Sequence, residues 1–430
     1  MRLPAHRRLT VGAALLAAVA AGAPAATAHA AAVTRPATTP VTPAAAGPGG
    51  SAAPAPRPDL DALVRALRNT TAAGAPGAMA RFTGPGRPVA KAVGVRDRTD
   101  GAAMDPRARF RIGSVTKTFS AVVLLQLAAE GRLGLDDPVE RHLPGLLPDG
   151  DRITVRHLLS HRSGLADYTD AMFERTVPGF EAVRNKVFSP RDLVALSVRE
   201  PRTTQPGAAY AYSNTNFLIV GMLIEKASGH GLAQEYERRI IKPLGLDRTA
   251  YVHPATAVAG LHVRGYLHPD EAGAPLVDST EQTASWAQAA GAMISSPADL
   301  NTFVSALLGG RLLPPRMLDA MLVMSPTDAA HTRFYGLGLR RYDLTCGVRV
   351  YGHTGTVQGY YTYAFATRDG RRALAAMANT SNRGEANTAL GGTLEAVFCG
   401  GKSAAAGPAA RGSAAAPRPA PAEADLPEHG

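Results

Sequence analysis

Arg111-Ile112-Gly113-Ser114-Val115-Thr116-Lys117, followed without a break by T-F-S-A-V-V-L-L-Q-L-A-A-E-G, is the stretch on which the reading of this chain turns. Gly113 closes an extended run and a helix opens at once, so Ser114 lies in its first turn and Lys117, three residues on, shares its face. A hydroxyl is a poor nucleophile until a base takes its proton, and a lysine held partly dry among polar groups can do this when its pKa is lowered. The start of a helix adds free N–H groups and a field that favours developing negative charge. A serine at this place is also an ordinary helix cap, so the spacing alone leaves both roles open. Only six of the 46 basic residues are lysines, which gives Lys117 added weight.

Two further polar clusters lie outward from this stretch. Tyr212-Ser213-Asn214 sits in the loop Y-A-Y-S-N-T-N, directly before an apolar helix at Phe217. A tyrosine hydroxyl can pass a proton and an asparagine amide can orient an acyl group, although a capping loop would use the same residues. Tyr351-Gly352-His353-Thr354-Gly355-Thr356 begins a strand. There Gly355 is expected to let a substrate backbone approach closely, and strand N–H groups to complete an oxyanion hole.

The three motifs in this order resemble the pattern S-x-x-K, S-D-N, K-T-G of β-lactamases and penicillin-binding proteins. Here they stand as S-V-T-K, Y-S-N and H-T-G. The tyrosine in the second motif is similar to class C β-lactamases and low-molecular-mass carboxypeptidases. With histidine in the third, the chain resembles the secreted actinomycete D-alanyl-D-alanine carboxypeptidase/transpeptidases. The likeness covers most of residues 58–400 and includes L-L-S-H-R-S-G-L, S-W-A-Q, Y-G-L-G-L-R-R and Y-G-H-T-G-T-V-Q-G-Y-Y-T-Y-A-F.

The resemblance implies that Ser114 attacks the carbonyl of the penultimate D-alanine while Lys117 and Tyr212 move protons, with Asn214 on the acyl amide. It implies an oxyanion held by the backbone N–H groups of Ser114 and Thr356, and His353 tying Tyr212 into the polar network. Arg340, Thr354 and Thr356 would receive the terminal carboxylate, and Phe173, Thr176, Trp286 and Gln358 would line the cleft for a peptidoglycan stem peptide. From the residues alone Arg341 is as good a carboxylate partner as Arg340, because either supplies the charge. No equivalent of a deacylating glutamate is evident, so deacylation falls to Lys117, Tyr212 and His353, and acylation is expected to fall in acid as that network gains a proton. β-Lactams are expected to acylate Ser114. The alternatives are a β-lactamase, an esterase or a D-aminopeptidase on the same scaffold, or a silent β-lactam- or cell-wall-binding module.

Composition bounds the rest. The chain has 430 residues, 45% hydrophobic, with two cysteines, which excludes a disulfide scaffold or a cysteine-rich zinc module. Of the formal charge of +11, residues 1–57 carry +5 and residues 401–430 none, leaving 38 basic against 32 acidic residues over 58–400. The excess is spread too thinly for a nucleic-acid face. Arg2, Arg7 and Arg8, the apolar run Leu9–Ala23 and Ala28-His29-Ala30 read as an export signal over 1–30. Residues 31–57 and 401–430 read as an Ala/Pro-rich linker and tail. No other segment is apolar enough for a membrane anchor, and a secreted monomer is the expectation. Export favours a Cys346–Cys399 disulfide. His157 and His161 stand at i,i+4 but without the Glu of a zinc motif or a third ligand, so they read as helix-packing residues; no metal or cofactor is expected.

The fold expectation is α/β and similar to that of the β-lactamases and penicillin-binding proteins: an antiparallel sheet flanked by helices, with a large, mainly helical insertion. The sheet part falls at about 58–112 and 335–400 and the helical part at about 115–330, together one serine peptidase domain over 58–400. Helices are expected over 60–69, 117–131, 217–228 and 387–398. Strands are expected within 75–112 and over 348–352, 359–367 and 371–380, the last two joined by a turn at Asp369-Gly370.

Overall fold

Along Tyr360–Thr367, Tyr361, Tyr363 and Phe365 turn to one side while Tyr360, Ala364 and Ala366 turn to the other. The neighbouring Ala373–Ala378 divides in the same way, with Leu374, Ala376 and Ala378 opposite Ala373, Ala375 and Met377. Both faces of these strands are buried, which is why they read as unbroken apolar runs and not as alternation. They are the centre of an eight-stranded antiparallel sheet. Its order is Val89–Gly94, Gly77–Thr83, Ala373–Ala378, Tyr360–Thr367, Arg349–Val357, Arg340–Asp343, Arg333–Tyr335 and Ser325–Pro326. Strands from both ends of the described chain meet where Gly77–Thr83 pairs with Ala373–Ala378.

This computed structural model describes residues 56–400; the expected leader, the linker up to residue 55 and the tail from residue 401 lie outside the described residues. One face of the sheet is covered by the helices Leu60–Ala72 and Gly384–Cys399, through Leu63, Leu67, Leu390, Leu394 and Phe398. Asp59 caps the first, its Oδ1 accepting from Ala62 N at 2.8 Å. The disulfide Cys346–Cys399, with Cα atoms 5.7 Å apart, ties the end of the second helix to the turn between two sheet strands.

The other face carries the helical insertion. Val115–Ala129 and Asn214–Ser228 are buried almost all round, as their composition of Val, Leu, Ile and Ala requires. With Pro297–Leu308 they form a core that reaches the sheet through Tyr360, Ala364 and Met377. The helices expected over 60–69, 217–228 and 387–398 are present and a few residues longer, and the one expected over 117–131 runs from Val115 to Ala129, starting and ending two residues earlier. The third motif lies inside Arg349–Val357 and not at its start, because the strand runs five residues past Gly352. No helix of the described residues is long and apolar enough to cross a membrane.

Candidate active site

The turn at Gly113 sets the position of Ser114. Phe110–Arg111 pairs with Met293–Ser295, and Ile112 N donates to Met293 O at 3.1 Å. Gly113 then takes φ of +50°, where a Cβ would lie 2.6 Å from the Thr356 carbonyl oxygen. Chain direction reverses in one residue, and the helix starts against the third-motif strand. Ser114 takes the helix N-cap position, yet its side chain makes no capping bond. Its Oγ instead lies 2.9 Å from Lys117 Nζ and 2.9 Å from Tyr212 Oη. Between cap and nucleophile, the hydroxyl has the surroundings of the second.

Lys117 is fully buried, and Nζ also reaches Asn214 Oδ1 at 2.7 Å and the Ala290 carbonyl at 2.9 Å. Those two neighbours can only accept. An unprotonated amine has two hydrogens to give them, so its lone pair faces the Ser114 hydroxyl. Asn214 is held in turn by Asp167, whose Oδ2 accepts from Asn214 N and from Nδ2, both at 2.8 Å. The second Nδ2 hydrogen reaches Thr169 Oγ1 at 3.3 Å, the weaker bond and the one an incoming acyl carbonyl would displace. Asp167 also accepts from Thr169 N and Oγ1. Burial raises its carboxyl above the ordinary range, against those hydrogen bonds and the Lys117 charge.

His353 sits in the strand next to Arg340–Asp343 and uses Nδ1 on the Thr354 carbonyl at 2.5 Å and Nε2 on Tyr335 Oη at 2.9 Å. Its link to Tyr212 runs through Tyr335 and His161. His161 Nε2 is 3.2 Å from the same Tyr335 oxygen, and its ring lies over Tyr212 with centroids 4.2 Å apart. Burial holds both imidazoles well below their ordinary pKa, with the charges of Arg340 and Lys117 adding to it. His157 is a local residue, sharing a capping box with Thr154. His161 is not the helix-packing residue its spacing suggests: at φ of +53° it leaves the helix and turns into the site.

Arg340 and Arg341 separate cleanly. Alternate residues of a strand face opposite ways, so the two cannot both reach the site: Arg340 does, 2% exposed, 5.4 Å from the Tyr212 ring centroid and 5.5 Å from that of Tyr335. Arg341 points away, paired with Asp343 at 2.7 Å and stacked on Phe334. Pairing of this strand stops at Gly352, so the stretch carrying Thr354 and Thr356 continues beside Ser114 with no strand of the described residues on that side. Gly355 has a different reason from the one expected. A Cβ there would lie 2.0 Å from the Ile112 carbonyl, so the glycine admits the turn that carries Ser114.

Phe173 meets Trp286 edge to face at 4.9 Å, and Trp286 Nε1 donates to Gln282 Oε1 at 3.4 Å. Gln282 Nε2 reaches the Gln358 carbonyl at 3.5 Å, so Phe173, Trp286 and Gln358 belong to one wall. Thr176 opens the next helix, where its N–H donates to Asp270 at 3.0 Å. Sequence reasoning passed over Asp167, Tyr335, Gln282 and Arg111, whose buried guanidinium donates to the carbonyls of Thr280, Thr256 and Gln282 and anchors that wall. His161 carried a usable signal, standing inside L-L-S-H-R-S-G-L, one of the runs on which the family resemblance rests.

Taken together, a serine hydroxyl contacted by an amine and a phenol, at a helix start and beside an open strand edge, can form and break acyl bonds. The chain is similar in sequence and structure to a D-stereospecific amidohydrolase from Streptomyces sp., at 41% identity and a TM-score of 0.74 over 80% of this chain and 99% of that one. It is 26% identical over 322 residues to penicillin-binding protein 4* of Bacillus subtilis, covering 71% of this chain and 68% of that protein. It is 32% identical over 319 residues to a D-aminopeptidase of Brucella anthropi, 69% of this chain but 56% of the relative's length. The β-lactamase family description matches residues 60–397. The chain therefore belongs to the β-lactamase family, the serine hydrolase fold shared with penicillin-binding proteins.

Proposed function

We propose that the protein is an exported serine D-alanyl-D-alanine carboxypeptidase with transpeptidase capacity, acting on peptidoglycan stem peptides. The observation that carries this reading is Arg340, a buried cation whose guanidinium lies over the ring of the tyrosine that bonds Ser114. A peptide ending in D-alanine brings a free carboxylate to that charge, with the hydroxyls of Thr354 and Thr356 on the adjoining strand as further donors. A D-amino-acid amide brings an ammonium and no carboxylate, and an aminopeptidase substrate brings an ammonium beside the bond to be cut. Arg340 would repel that ammonium, and Asp167, the acid beside Lys117, is already taken by Asn214 and Thr169.

In the acylation step Ser114 Oγ bonds the carbonyl carbon of the penultimate D-alanine, and its proton passes to Lys117 or Tyr212. The carbonyl oxygen carries the charge against the N–H groups of Ser114 and Thr356. The C–N bond then breaks, and the proton goes to the departing D-alanine nitrogen. Water or an amine attacks the ester, gives its proton to the same groups and restores the serine. A β-lactam would follow the first half, its amide opening onto Ser114. The leader pattern at residues 1–30 supports export, and the Ala/Pro composition of 31–57 and 401–430 supports a catalytic domain over 58–400.

A second reading, a D-amino-acid amidase or D-aminopeptidase, has the name of the Streptomyces amidohydrolase at 41% identity in its favour. One experiment separates them: D-alanine release from a diacyl-D-Ala-D-Ala peptide, ammonia release from D-alanine amide, and intact mass with penicillin over time. D-alanine release from the peptide with a lasting single adduct supports the carboxypeptidase, and ammonia release from the amide with no D-alanine from the peptide overturns it. An adduct that vanishes within seconds, without D-alanine release, indicates a β-lactamase.

A further inference from the structure

We infer that Asp167 is a positioning residue that fixes which end of the Asn214 amide faces Lys117, and through it keeps the lysine lone pair on Ser114. The inference rests on the reading of Ser114 and Lys117 as nucleophile and base. An asparagine side chain is nearly symmetric in shape, and its orientation is decided by what surrounds it. On one side Lys117 Nζ lies 2.7 Å from Oδ1. On the other, Asp167 Oδ2 lies 2.8 Å from Nδ2 and 2.8 Å from the Asn214 backbone nitrogen. An ionised carboxylate only accepts, so it admits Nδ2 and rejects Oδ1.

The lock extends one residue further. Thr169 gives its hydroxyl proton to Asp167 Oδ1 at 2.8 Å, which leaves its lone pairs facing the second Nδ2 hydrogen at 3.3 Å. Asp167, Thr169 and the Lys117 amine therefore favour the same orientation. Were the amide reversed, Nδ2 would point at Lys117 and donate to the amine lone pair. That lone pair would then be lost to Ser114, with all three side chains still in contact. Asp167 touches neither serine nor substrate; its effect is carried by Asn214.

Asp167→Asn is the sharpest test because it keeps volume and shape. The new amide has a single acceptor oxygen: where that oxygen keeps the cap bond from Thr169 N, the NH2 takes the place of Oδ2 and faces the Asn214 NH2, and two donors in contact favour the reversed orientation. Asp167→Ser retains a good cap for Tyr168–Met172 and removes the acceptor for Asn214 altogether. For both variants the expected result with a chromogenic β-lactam is an acylation rate constant about 10–100-fold lower. The dissociation constant of the non-covalent complex rises by only about threefold, for the one bond that Asn214 Nδ2 no longer gives the acyl carbonyl, since the carboxylate-binding side is untouched. A merely loosened site would move both constants alike. In parallel, the Asn214 side-chain amide protons should exchange slowly in the wild type, and faster in Asp167→Asn.

An acylation rate within about threefold of wild type in Asp167→Asn overturns the inference, because the lost lock would then carry no effect on the base. Equally fast side-chain exchange in wild type and variant overturns it as well. Absence of any adduct on the wild type counts against the serine peptidase reading instead, and the exchange comparison still decides whether Asp167 locks the amide.

Discussion

Tyr335 donates its hydroxyl proton to His353, Oη lying 2.9 Å from Nε2, and the direction of that bond is fixed by its surroundings. His353 Nδ1 faces the Thr354 carbonyl and must carry the hydrogen, so Nε2 of the neutral ring accepts. His161 Nδ1 accepts from Ser213 N at 3.2 Å, so its Nε2 hydrogen goes to Tyr335. The result is a one-way chain of neutral groups from His161 through Tyr335 to His353, with Tyr212 stacked on its first member.

Replacing Tyr335 by Phe keeps the ring and removes the bridge. Two buried ring nitrogens would then lack partners, at a cost of about 1–3 kcal/mol. Urea unfolding of Tyr335→Phe should show that loss. A change below about 0.5 kcal/mol would mean that the histidines find other partners and the chain is incidental.

The histidines also set a pH dependence of stability. His161 and His353 are held well below the ordinary value near 6.5, and His157, His253 and His268 are lowered too, each mainly by burial. Below about pH 6.5 the unfolded chain binds protons that the folded chain refuses. Stability is therefore complete above that pH and is lost as pH falls, by roughly 1.4 kcal/mol per pH unit for each fully neutral buried imidazole. Asp167 acts in the opposite sense, since its raised carboxyl binds a proton more readily when folded. The urea midpoint should drop between pH 7 and pH 5, and a flat midpoint would contradict neutral buried rings. An acid loss of acylation cannot come from His353 on these grounds. Asp167, which faces Lys117, Tyr168 and Asp170, is the group placed to supply it.

The two arginines make a matched pair of variants. Arg340→Gln should lower kcat/KM for a D-Ala-D-Ala peptide by about 10–100-fold, the weight of a charge-assisted bond of roughly 1.5–3 kcal/mol. A substrate without a carboxylate should be spared, so the ratio of the two activities reads the effect independently of folding. Arg341→Gln should change neither by more than about threefold, its charge being engaged by Asp343 on the other face. Equal losses on both substrates in Arg340→Gln would remove the carboxylate role.

These arginines show where sequence reading stops. Ser114 and Lys117 are legible because i,i+3 on a helix is local geometry, and strands over 360–378 are legible from their apolar runs. Which of two adjacent arginines enters the site depends on where the strand lies against Tyr212 and Tyr335, residues far from it or on another strand, which only the folded chain brings together. Asp167 is 47 residues from Asn214 and reads locally as a helix cap, which it also is. His161 reads as the partner of His157 until its positive φ takes it out of the helix.

The Cys346–Cys399 bridge spans 53 residues of sequence, and closing such a loop should stabilise by about 4 kcal/mol on chain entropy. Comparing urea midpoints with and without a reductant checks this. A difference under about 1 kcal/mol would show that Phe398 and Val397 already hold the helix end without the bridge.

Gly355 gives the most local prediction. The sequence suggests a glycine that admits substrate, but its missing Cβ makes room for the Ile112 carbonyl, 2.0 Å from where that atom would lie, with Ser114 N at 3.2 Å. Both neighbours are backbone, so nothing can rotate aside in Gly355→Ala, and either the strand or the Ser114 turn has to move. The cost should exceed about 3 kcal/mol, and the shift should remove acylation even in protein that remains folded, since a displacement near 1 Å can cost about 100-fold. Gly392 supplies the control: it lies inside Gly384–Cys399 with only Ala66 Cβ near a new methyl, at 3.7 Å. Gly392→Ala should leave acylation intact and stabilise by about 0.5–1 kcal/mol through helix propensity. If Gly355→Ala were acylated at the wild-type rate, the strand and the nucleophile turn would not be in register as described. The oxyanion role of Thr356, one residue along the same strand, would lose its footing with it.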